Sequence, residues 1–253
     1  MLLTEQAGPV LTLAINDPER RNPLTNEVVE SMTEAIGSAG ESVRVIVVTG
    51  TGEKAFCAGG DLAGGFFENP IETHRQRGGL AELFRSMRLA RQPIVARVNG
   101  HALAGGFGLM LACDMAVAAD HATFGMPEIN VGLWPMMISA LVHQTLPQKL
   151  AFELMMSGRR MTASEALAAG AVSRVVPGAD LVMTVEELVA SLLEKSPAVL
   201  ALGKASFYST VDMGFDAALD LLAGGLTAVA LTEDAREGTR AFVEKRPANF
   251  TGR

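Results

Sequence analysis

The sequence predicts an α/β fold with largely parallel strand pairing, followed by a helical C-terminal region. Strand and helix patterns alternate up to residue 177, and such alternation is typical of parallel strands joined by helices. Beyond residue 177 the spacing of apolar residues is helical almost throughout. Of the 253 residues, 49% are hydrophobic and 19% are charged. A disordered chain would have the opposite balance.

The elements are predicted in chain order from the spacing of apolar residues and from caps and breakers. Predicted strands cover 10–15, 43–49, 94–98, 115–118, 122–124 and 171–176, and predicted helices cover 25–39, 71–89, 106–113, 135–145, 148–157, 162–168, 181–194, 197–210, 213–231 and 233–244. Thr25 caps the first helix, and the β-branched run at 43–49 is typical of a strand buried on both faces. We expect an α/β core over residues 1–195 and a helical region over 196–253.

The charge pattern and the scarcity of cysteine exclude several classes of function. The chain has 21 basic and 28 acidic residues, so its net charge is −7. No run of Lys or Arg occurs, and nucleic acid is therefore not an expected ligand. Two cysteines without a Cys-x-x-Cys motif favour a reducing, cytoplasmic location. The apolar stretch at 102–119 is interrupted by Asp114, which predicts a buried helix and not a membrane span. The four histidines lack metal-ligand spacing.

Two glycine-rich segments, VIVVTGTGEKAFCAGGDL and PIVARVNGHALAGGFGLML, each follow a predicted buried strand. Adjacent glycines keep side chains away from a ligand, and two converging backbone amides could hold an oxyanion. The alternative is that both segments are ordinary tight turns. A dinucleotide fingerprint starting at Gly50 is disfavoured, because that motif needs a helix to begin at once and residues 56–60 (FCAGG) do not start one.

Several segments in this order resemble the crotonase superfamily of enoyl-CoA hydratases and isomerases. They are DPERRNPL, KAFCAGGDL, VNGHALAGGFGLMLACDMAVAAD, ATFGMPEINVGLWP, MTASEALAAGAVSRVVP and KRPANFTGR. The resemblance implies a spiral of strand-strand-helix turns with a helical C-terminal trimerisation region. It also implies an acyl-CoA thioester substrate, a homotrimer or a dimer of trimers, and no cofactor, since coenzyme A is part of the substrate.

Carried over residue by residue, the resemblance assigns the catalytic groups. The amides of Gly60 and Gly105 would bind the thioester oxygen as it becomes an enolate, and Glu128 would be the acid/base. Hydratases of the family use a second glutamate, but Gly108 stands at its position. The other implied substrate contacts are Arg21, Ala58, Asp61, Leu62, Gly108, Trp134, Pro135, Met136, Phe250 and Arg253.

A single carboxylate leaves the reaction open between two chemistries. Glu128 alone could remove a proton from one carbon and return it to another, which isomerises a double bond. Hydration would require another group to orient the water, and Glu68 and Glu72 are candidates. We expect apolar neighbours to raise the pKa of Glu128, and the sequence supplies Phe124, Met126, Ile129 and Val131. A paralogue that binds acyl-CoA without turnover is the alternative to an enzyme.

Two further features separate substrate contacts from structural side chains. Met136, Met137 and Ile138 stand where family hydratases often have small residues, so they shape an acyl pocket or pack between helices. Ala63 replaces a basic residue that many relatives carry. Asp61 and Asp114 match positions that look structural, a turn clamp and a buried helix end.

Overall fold

The computed structural model describes residues 1–61 and 70–253. Its strands are β1 (Leu2–Ala7), β2 (Val10–Ile15), β3 (Val45–Gly50), β4 (Ala55–Cys57), β5 (Ile94–Val98), β6 (His101–Leu103), β7 (Met115–Ala119), β8 (Thr123–Gly125), β9 (Arg160–Thr162) and β10 (Arg174–Val176). Its helices are α1 (Asn26–Gly37), α2 (Pro70–Leu89), α3 (Gly105–Ala112), α4 (Met136–Thr145), α5 (Gln148–Ser157), α6 (Ala163–Ala168), α7 (Leu181–Leu193), α8 (Pro197–Thr210), α9 (Phe215–Leu231) and α10 (Glu233–Glu244). Thr25 caps α1 by accepting from the amide of Val28, as predicted.

The main sheet has six strands in the order β1-β2-β3-β5-β7-β10. All neighbours are parallel except β1 and β2, which form an antiparallel pair. Every residue of β3 is buried. Ile46 and Val48 face the larger core, whereas Val45 and Val47 face α7. The prediction of a strand covered on both faces is therefore confirmed.

A second sheet of four short strands, in the order β4-β6-β8-β9, positions the functional residues. The strands β4, β6 and β8 are parallel, and β9 pairs antiparallel with β8. Each of them continues a turn of the expected strand-strand-helix spiral, since β3 leads into β4, β5 into β6 and β7 into β8. The sequence pattern does not predict β4, β6 or β9, because three residues are too few to show a period of two.

Two predicted boundaries are wrong for identifiable reasons. The strand predicted at 171–176 begins only at Arg174. Ala171 and Val172 are buried in the preceding turn, and burial of a turn imitates the apolar run of a strand. The helix predicted from residue 213 begins at Phe215, after Gly214.

The C-terminal helices pack on the core through a small polar network. The Asp114 carboxylate forms an ion pair of 2.8 Å with Lys204 and accepts a 2.9 Å hydrogen bond from the Tyr208 hydroxyl, both on α8. It also accepts from the amide of Ile94 at 2.7 Å. Asp114 therefore ties α8 to the end of α3 and the start of β5. The division at residue 195 stays a prediction.

Among the described residues, no single helix is both long and apolar enough to cross a membrane. The pair Phe215–Leu231 and Glu233–Glu244 meets the length and composition test only jointly, across a bend of 72°.

Candidate active site

The three parallel strands of the second sheet end side by side, and the segments that follow them carry the predicted catalytic residues. Register places Leu103 beside Gly125, at the carboxyl ends of β6 and β8. Gly60 follows β4, Gly105 follows β6, and Glu128 follows β8. Ligands commonly bind where the carboxyl ends of parallel strands meet. The topology thus brings the three predicted catalytic residues to one edge.

The two glycine-rich loops lie against each other at this edge. The position that a Cβ would occupy on Gly105 is 3.7 Å from the nitrogen of Gly60. The amide of Leu24 bonds to the carbonyl of Gly59 at 2.8 Å, and the amide of Ala104 bonds to that of Gly125 at 2.9 Å. Within the described residues neither the Gly60 nor the Gly105 amide donates a hydrogen bond. Both donors are available to a ligand oxygen.

The tight contact between α3 and β4 explains why glycine is needed here. A Cβ on Gly106 would overlap the carbonyl oxygen of Cys57 and lie 2.7 Å from its carbonyl carbon. Gly59 has φ = +98°, and Ala104 has φ = +51° with ψ = −129°. An alanine with positive φ is strained by an amount of order 1–3 kcal/mol. This strained turn directs the next amide, that of Gly105, toward Gly60.

The polar loop at 17–23 supports the first glycine loop, which the sequence analysis does not anticipate. Asn22 is fully buried, and its amide group donates to the carbonyls of Thr51 and Ala55 at 3.0 and 2.7 Å. The carbonyl of Arg21 accepts from the amide of Ala58 at 3.0 Å. Asn22 thereby fixes the approach of Leu24 to the site. An asparagine before a proline in a polar segment is the one available signal, and by itself it predicts only a turn.

Glu128 lies in a 3-10 helix, Pro127–Val131, immediately after β8. Its Oε2 atom is buried and has no hydrogen-bond partner among the described residues. Burial raises the pKa of Glu128 above the ordinary glutamate value, and this direction confirms the expectation. The apolar surroundings are only partly as expected. Phe124 and Met126 are fully buried, whereas Ile129 and Val131 are 37% and 60% exposed.

Gly108 lies where helix α3 packs against α4. A Cβ on Gly108 would overlap Cγ2 of Ile138, lie 2.9 Å from its Cβ, and lie 3.2 Å from Cζ of Phe84. Ile138 is 3% exposed. A side chain at position 108 would therefore have to displace Ile138, and the space for a second carboxylate is filled by an apolar contact.

The remaining predicted contacts are spread around this edge. Asp61 accepts a 2.7 Å ion-paired hydrogen bond from Arg20. Trp134 packs against the core, Pro135 is buried, and Met136 is 74% exposed. Leu62, Ala63 and Glu68 lie outside the described residues, and Glu72 belongs to the first turn of α2.

Phe250 and Arg253 belong to a C-terminal segment that folds back on α10. The ring of Phe250 lies over Gly238, where a Cβ would be 3.2 Å from Cε1. The carbonyl of Arg253 accepts from the amide of Asp234 at 2.9 Å. The structure thus gives the tail a defined path and leaves its contact with a substrate as a prediction.

Comparison with known proteins agrees with this architecture. Residues 5–253 match the family model described as enoyl-CoA hydratase/isomerase. The chain is 36% identical to a carnitinyl-CoA dehydratase of Salmonella arizonae, over 97% of this chain and 96% of that protein. It is 31% identical to a crotonyl-CoA hydratase of Syntrophomonas wolfei, over 98% and 97%.

A crystal structure of an enoyl-CoA hydratase from Mycobacterium smegmatis superposes with a TM-score of 0.95, at 32% identity and with 98% of both chains covered. The fold is thus that of the crotonase-type acyl-CoA enzymes. The chain belongs to the enoyl-CoA hydratase/isomerase family, and it is an enzyme of the lyase or isomerase type.

Proposed function

We propose that this enzyme stabilises the enolate of an acyl-CoA thioester between the amides of Gly60 and Gly105 while Glu128 transfers protons. The observation that carries the proposal is the buried, unpartnered Oε2 of Glu128 at the edge where the two free amides lie. A buried carboxylate oxygen without a partner is costly. A substrate proton beside it would supply the missing interaction.

Double-bond isomerisation is the reaction that this arrangement supports best. Glu128 removes a proton from C2 of a 3-enoyl-CoA, and the electron pair of the broken C–H bond passes into a dienolate. The negative charge on the thioester oxygen is held by the two amides, each worth roughly 3–4 kcal/mol in the transition state. The protonated Glu128 then returns the proton to C4, which leaves the double bond between C2 and C3. One carboxylate is sufficient for both steps.

Hydration of a 2-enoyl-CoA is the second candidate, and the similarity to a crotonyl-CoA hydratase favours it. Water must lose one proton as it attacks C3, and C2 must gain one. Glu128 could deprotonate the water, but a second group would have to orient it. The contact between Ile138 and Gly108 leaves no carboxylate at that position, so the group would come from elsewhere, as from Glu68 or Glu72.

A two-substrate assay decides between these reactions. The wild-type enzyme is given a 3-enoyl-CoA or a 2-enoyl-CoA, and the conjugated thioester absorbance is followed together with ¹⁸O incorporation from labelled water. Isomerisation predicts that absorbance appears from the 3-enoyl substrate without ¹⁸O uptake. Rapid ¹⁸O uptake from the 2-enoyl substrate, with slow conversion of the 3-enoyl one, would establish hydration.

Restoring the second carboxylate requires two substitutions. Gly108→Glu alone would collide with Ile138, so we expect it to destabilise the fold without raising hydration. The double variant Gly108→Glu/Ile138→Ala makes room for the side chain, and hydration should increase relative to the control Ile138→Ala. A folded double variant without faster hydration would contradict a rate limit set by the missing carboxylate.

Two neighbouring glycines separate effects on the oxyanion site from effects on folding. Gly105→Ala places a methyl group 3.4 Å from Leu24 and beside the Gly60 amide, so it should leave the melting temperature nearly unchanged. Its kcat/KM should fall by up to about 10²–10³, the usual cost of one oxyanion donor. Gly106→Ala collides with the backbone of Cys57 and should destabilise the fold by at least about 1–3 kcal/mol. Full activity in Gly105→Ala would contradict the proposed oxyanion site.

The proposal includes assembly into a trimer or a dimer of trimers. Helix α9 has no buried residue, and Phe215, Leu226 and Leu231 are 67–77% exposed. Apolar surface of this extent is typical of an interface. Mass photometry should find three or six chains, and Leu226→Lys should shift the population toward single chains. A monomeric wild-type protein at micromolar concentration would contradict it. The cytoplasmic location and the absence of a cofactor stay predictions.

A further inference from the structure

A large cleft lies at the amino ends of β4 and β6, at the opposite end of these strands from the catalytic residues. Its volume is about 1260 Å³, which is enough for a small-molecule ligand of nucleotide size. The walls come from the turns after β3 and β5 and from the residues around the start of α7. Nothing in the proposed reaction uses this cleft.

The cleft is lined by cations, although the chain as a whole carries a net charge of −7. The lining includes Arg21, Lys54, Arg97, Arg160, His101 and His121. The acidic side chain among the lining residues is that of Glu53. A concentration of one sign of charge in a concave site raises the local concentration of ligands of the opposite sign.

These cations lack the partners that surface cations usually have. No carboxylate among the described residues lies within ion-pairing distance of Arg21, Lys54, Arg97 or Arg160. Arg97 is half-buried on β5, and its one side-chain hydrogen bond is a 3.4 Å contact to the Thr49 hydroxyl. Withdrawing a guanidinium from water without a counter-ion is unfavourable. An anion bound beside Arg97 would remove that cost.

Electrostatics confirm that the cations are close to one another. Burial lowers the pKa of His101, and the positive charges of Arg160 and Arg21 lower it further. Burial also lowers the pKa of Arg97, opposed by Glu186 of α7. His101 uses Nδ1 to bond the Thr123 hydroxyl at 2.8 Å, so its other nitrogen remains for a ligand.

The start of α7 adds backbone polarity to the same wall. Gly178, Ala179, Leu181 and Val182 line the cleft, and no side chain caps this end of the helix. The 13-residue helix directs the positive end of its dipole there. Uncapped helix amides together with guanidinium and ammonium groups form the donor set that phosphate oxygens bind best.

We propose that this cleft binds a phosphate-bearing small molecule through Arg97, Arg160 and Lys54, with the start of α7 as a further donor. The carbonyl of Arg21 bonds to Ala58 beside the catalytic loops, so a ligand here can influence them. The phosphate is either the nucleotide end of the CoA thioester itself or that of a separate compound.

Isothermal titration calorimetry of the full chain with pyrophosphate, in low-salt buffer free of phosphate, tests the site. We expect saturable binding that weakens as NaCl is raised. Arg160→Gln and Arg97→Gln should each weaken it by roughly tenfold or more, and the exposed control Lys149→Gln should leave it unchanged. Arg160 is exposed, so its variant keeps the test valid even where Arg97→Gln folds poorly. Absence of saturable binding, or equal binding by wild type and both cleft variants, overturns the proposal.

A second arm identifies the source of the phosphate. If adenosine 3′,5′-bisphosphate displaces pyrophosphate, and Arg160→Gln raises the KM for acyl-CoA without changing the KM for an N-acetylcysteamine thioester, the ligand is the CoA nucleotide. If pyrophosphate binds and both KM values stay at wild-type levels in Arg160→Gln, the ligand is a separate phosphorylated compound. Either result supports an anion site, and neither depends on whether the reaction is isomerisation or hydration.

Discussion

Glu128 at the edge of the second sheet and Asp234 in the first turn of α10 are both carboxylates withdrawn from water, but the fold surrounds them differently. Glu128 keeps one buried oxygen without a donor among the described residues. Asp234 accepts hydrogen bonds from the Ser196 hydroxyl at 2.6 Å and from the amides of Thr251 and Gly252 at 2.7 and 3.0 Å.

The pKa values of the two groups move in opposite directions. Burial raises the pKa of Glu128. Burial alone would also raise the pKa of Asp234, but the hydrogen bonds from Ser196, Thr251 and Gly252 outweigh it and leave that pKa lowered. A fully satisfied carboxylate holds the structure together, whereas an unsatisfied one is available for chemistry.

The largest expected effect is on catalysis. Glu128→Gln preserves size and polarity but cannot accept a proton, so kcat should fall by about 10²–10⁴, the usual contribution of general acid/base catalysis. Steady-state assays with the 3-enoyl and 2-enoyl substrates measure this. The exposed Glu30→Gln is the matched control and should keep wild-type activity. Unchanged turnover in Glu128→Gln would remove Glu128 from the mechanism.

The next effect is on stability at Asp234. Asp234→Asn weakens the bonds to the C-terminal tail, so the free energy of unfolding at pH 7 should fall by about 1–3 kcal/mol. Because the folded-state pKa is lowered, this stabilisation is complete above the usual carboxyl range and is lost as pH falls through the lowered value. Denaturant melts of both proteins from pH 7 to pH 3 should therefore converge. A constant difference across that range would contradict the role of the charge.

The opposite sign is expected for the stability of Glu128→Gln. The raised pKa means that the folded state holds its proton more tightly than the unfolded state, so wild-type stability declines as pH rises through that window. At pH 7 the variant should be more stable by on the order of 1 kcal/mol, a usual size for one desolvated polar group. The gain should shrink toward pH 4. Equal stability at every pH would show that Glu128 is not strained by burial.

The smallest effect belongs to Glu237, which contacts the same C-terminal tail from an exposed position. Hydrogen bonds from Arg246 at 2.6 and 3.0 Å, with one from the amide of Asn249, lower the pKa of Glu237 to about 2. Glu237→Gln should lower the melting temperature less than Asp234→Asn does, and 1 M NaCl should remove most of the difference. An effect as large as that of Asp234→Asn would show that exposure does not separate the two anchors.

The sequence predicts the long elements and the catalytic set better than it predicts what joins them. Strand β3 and helix α1 are recognisable because burial on two faces and a threonine cap leave clear patterns. The short strands β4, β6 and β9 leave none, although they position Gly60, Gly105 and Glu128. The collision between position 108 and Ile138 cannot be anticipated either, since it depends on how two helices meet in space.

The cations of the large cleft show the same limit. Arg97, His101 and Arg160 belong to three different strands, and no spacing along the chain connects them. Only the folding of β5, β6 and β9 around one corner brings them together.

Because the proposed oxyanion donors are main-chain N–H groups, an alanine scan of this enzyme would leave both of them chemically intact. Such a scan would register Glu128 and overlook the polar half of the machinery. Exchange of a single amide for an ester linkage, introduced by semisynthesis at Gly60 or Gly105, deletes one donor and alters no side chain. Homologues can likewise diverge widely in residue identity around this edge and retain the same electrophilic grip.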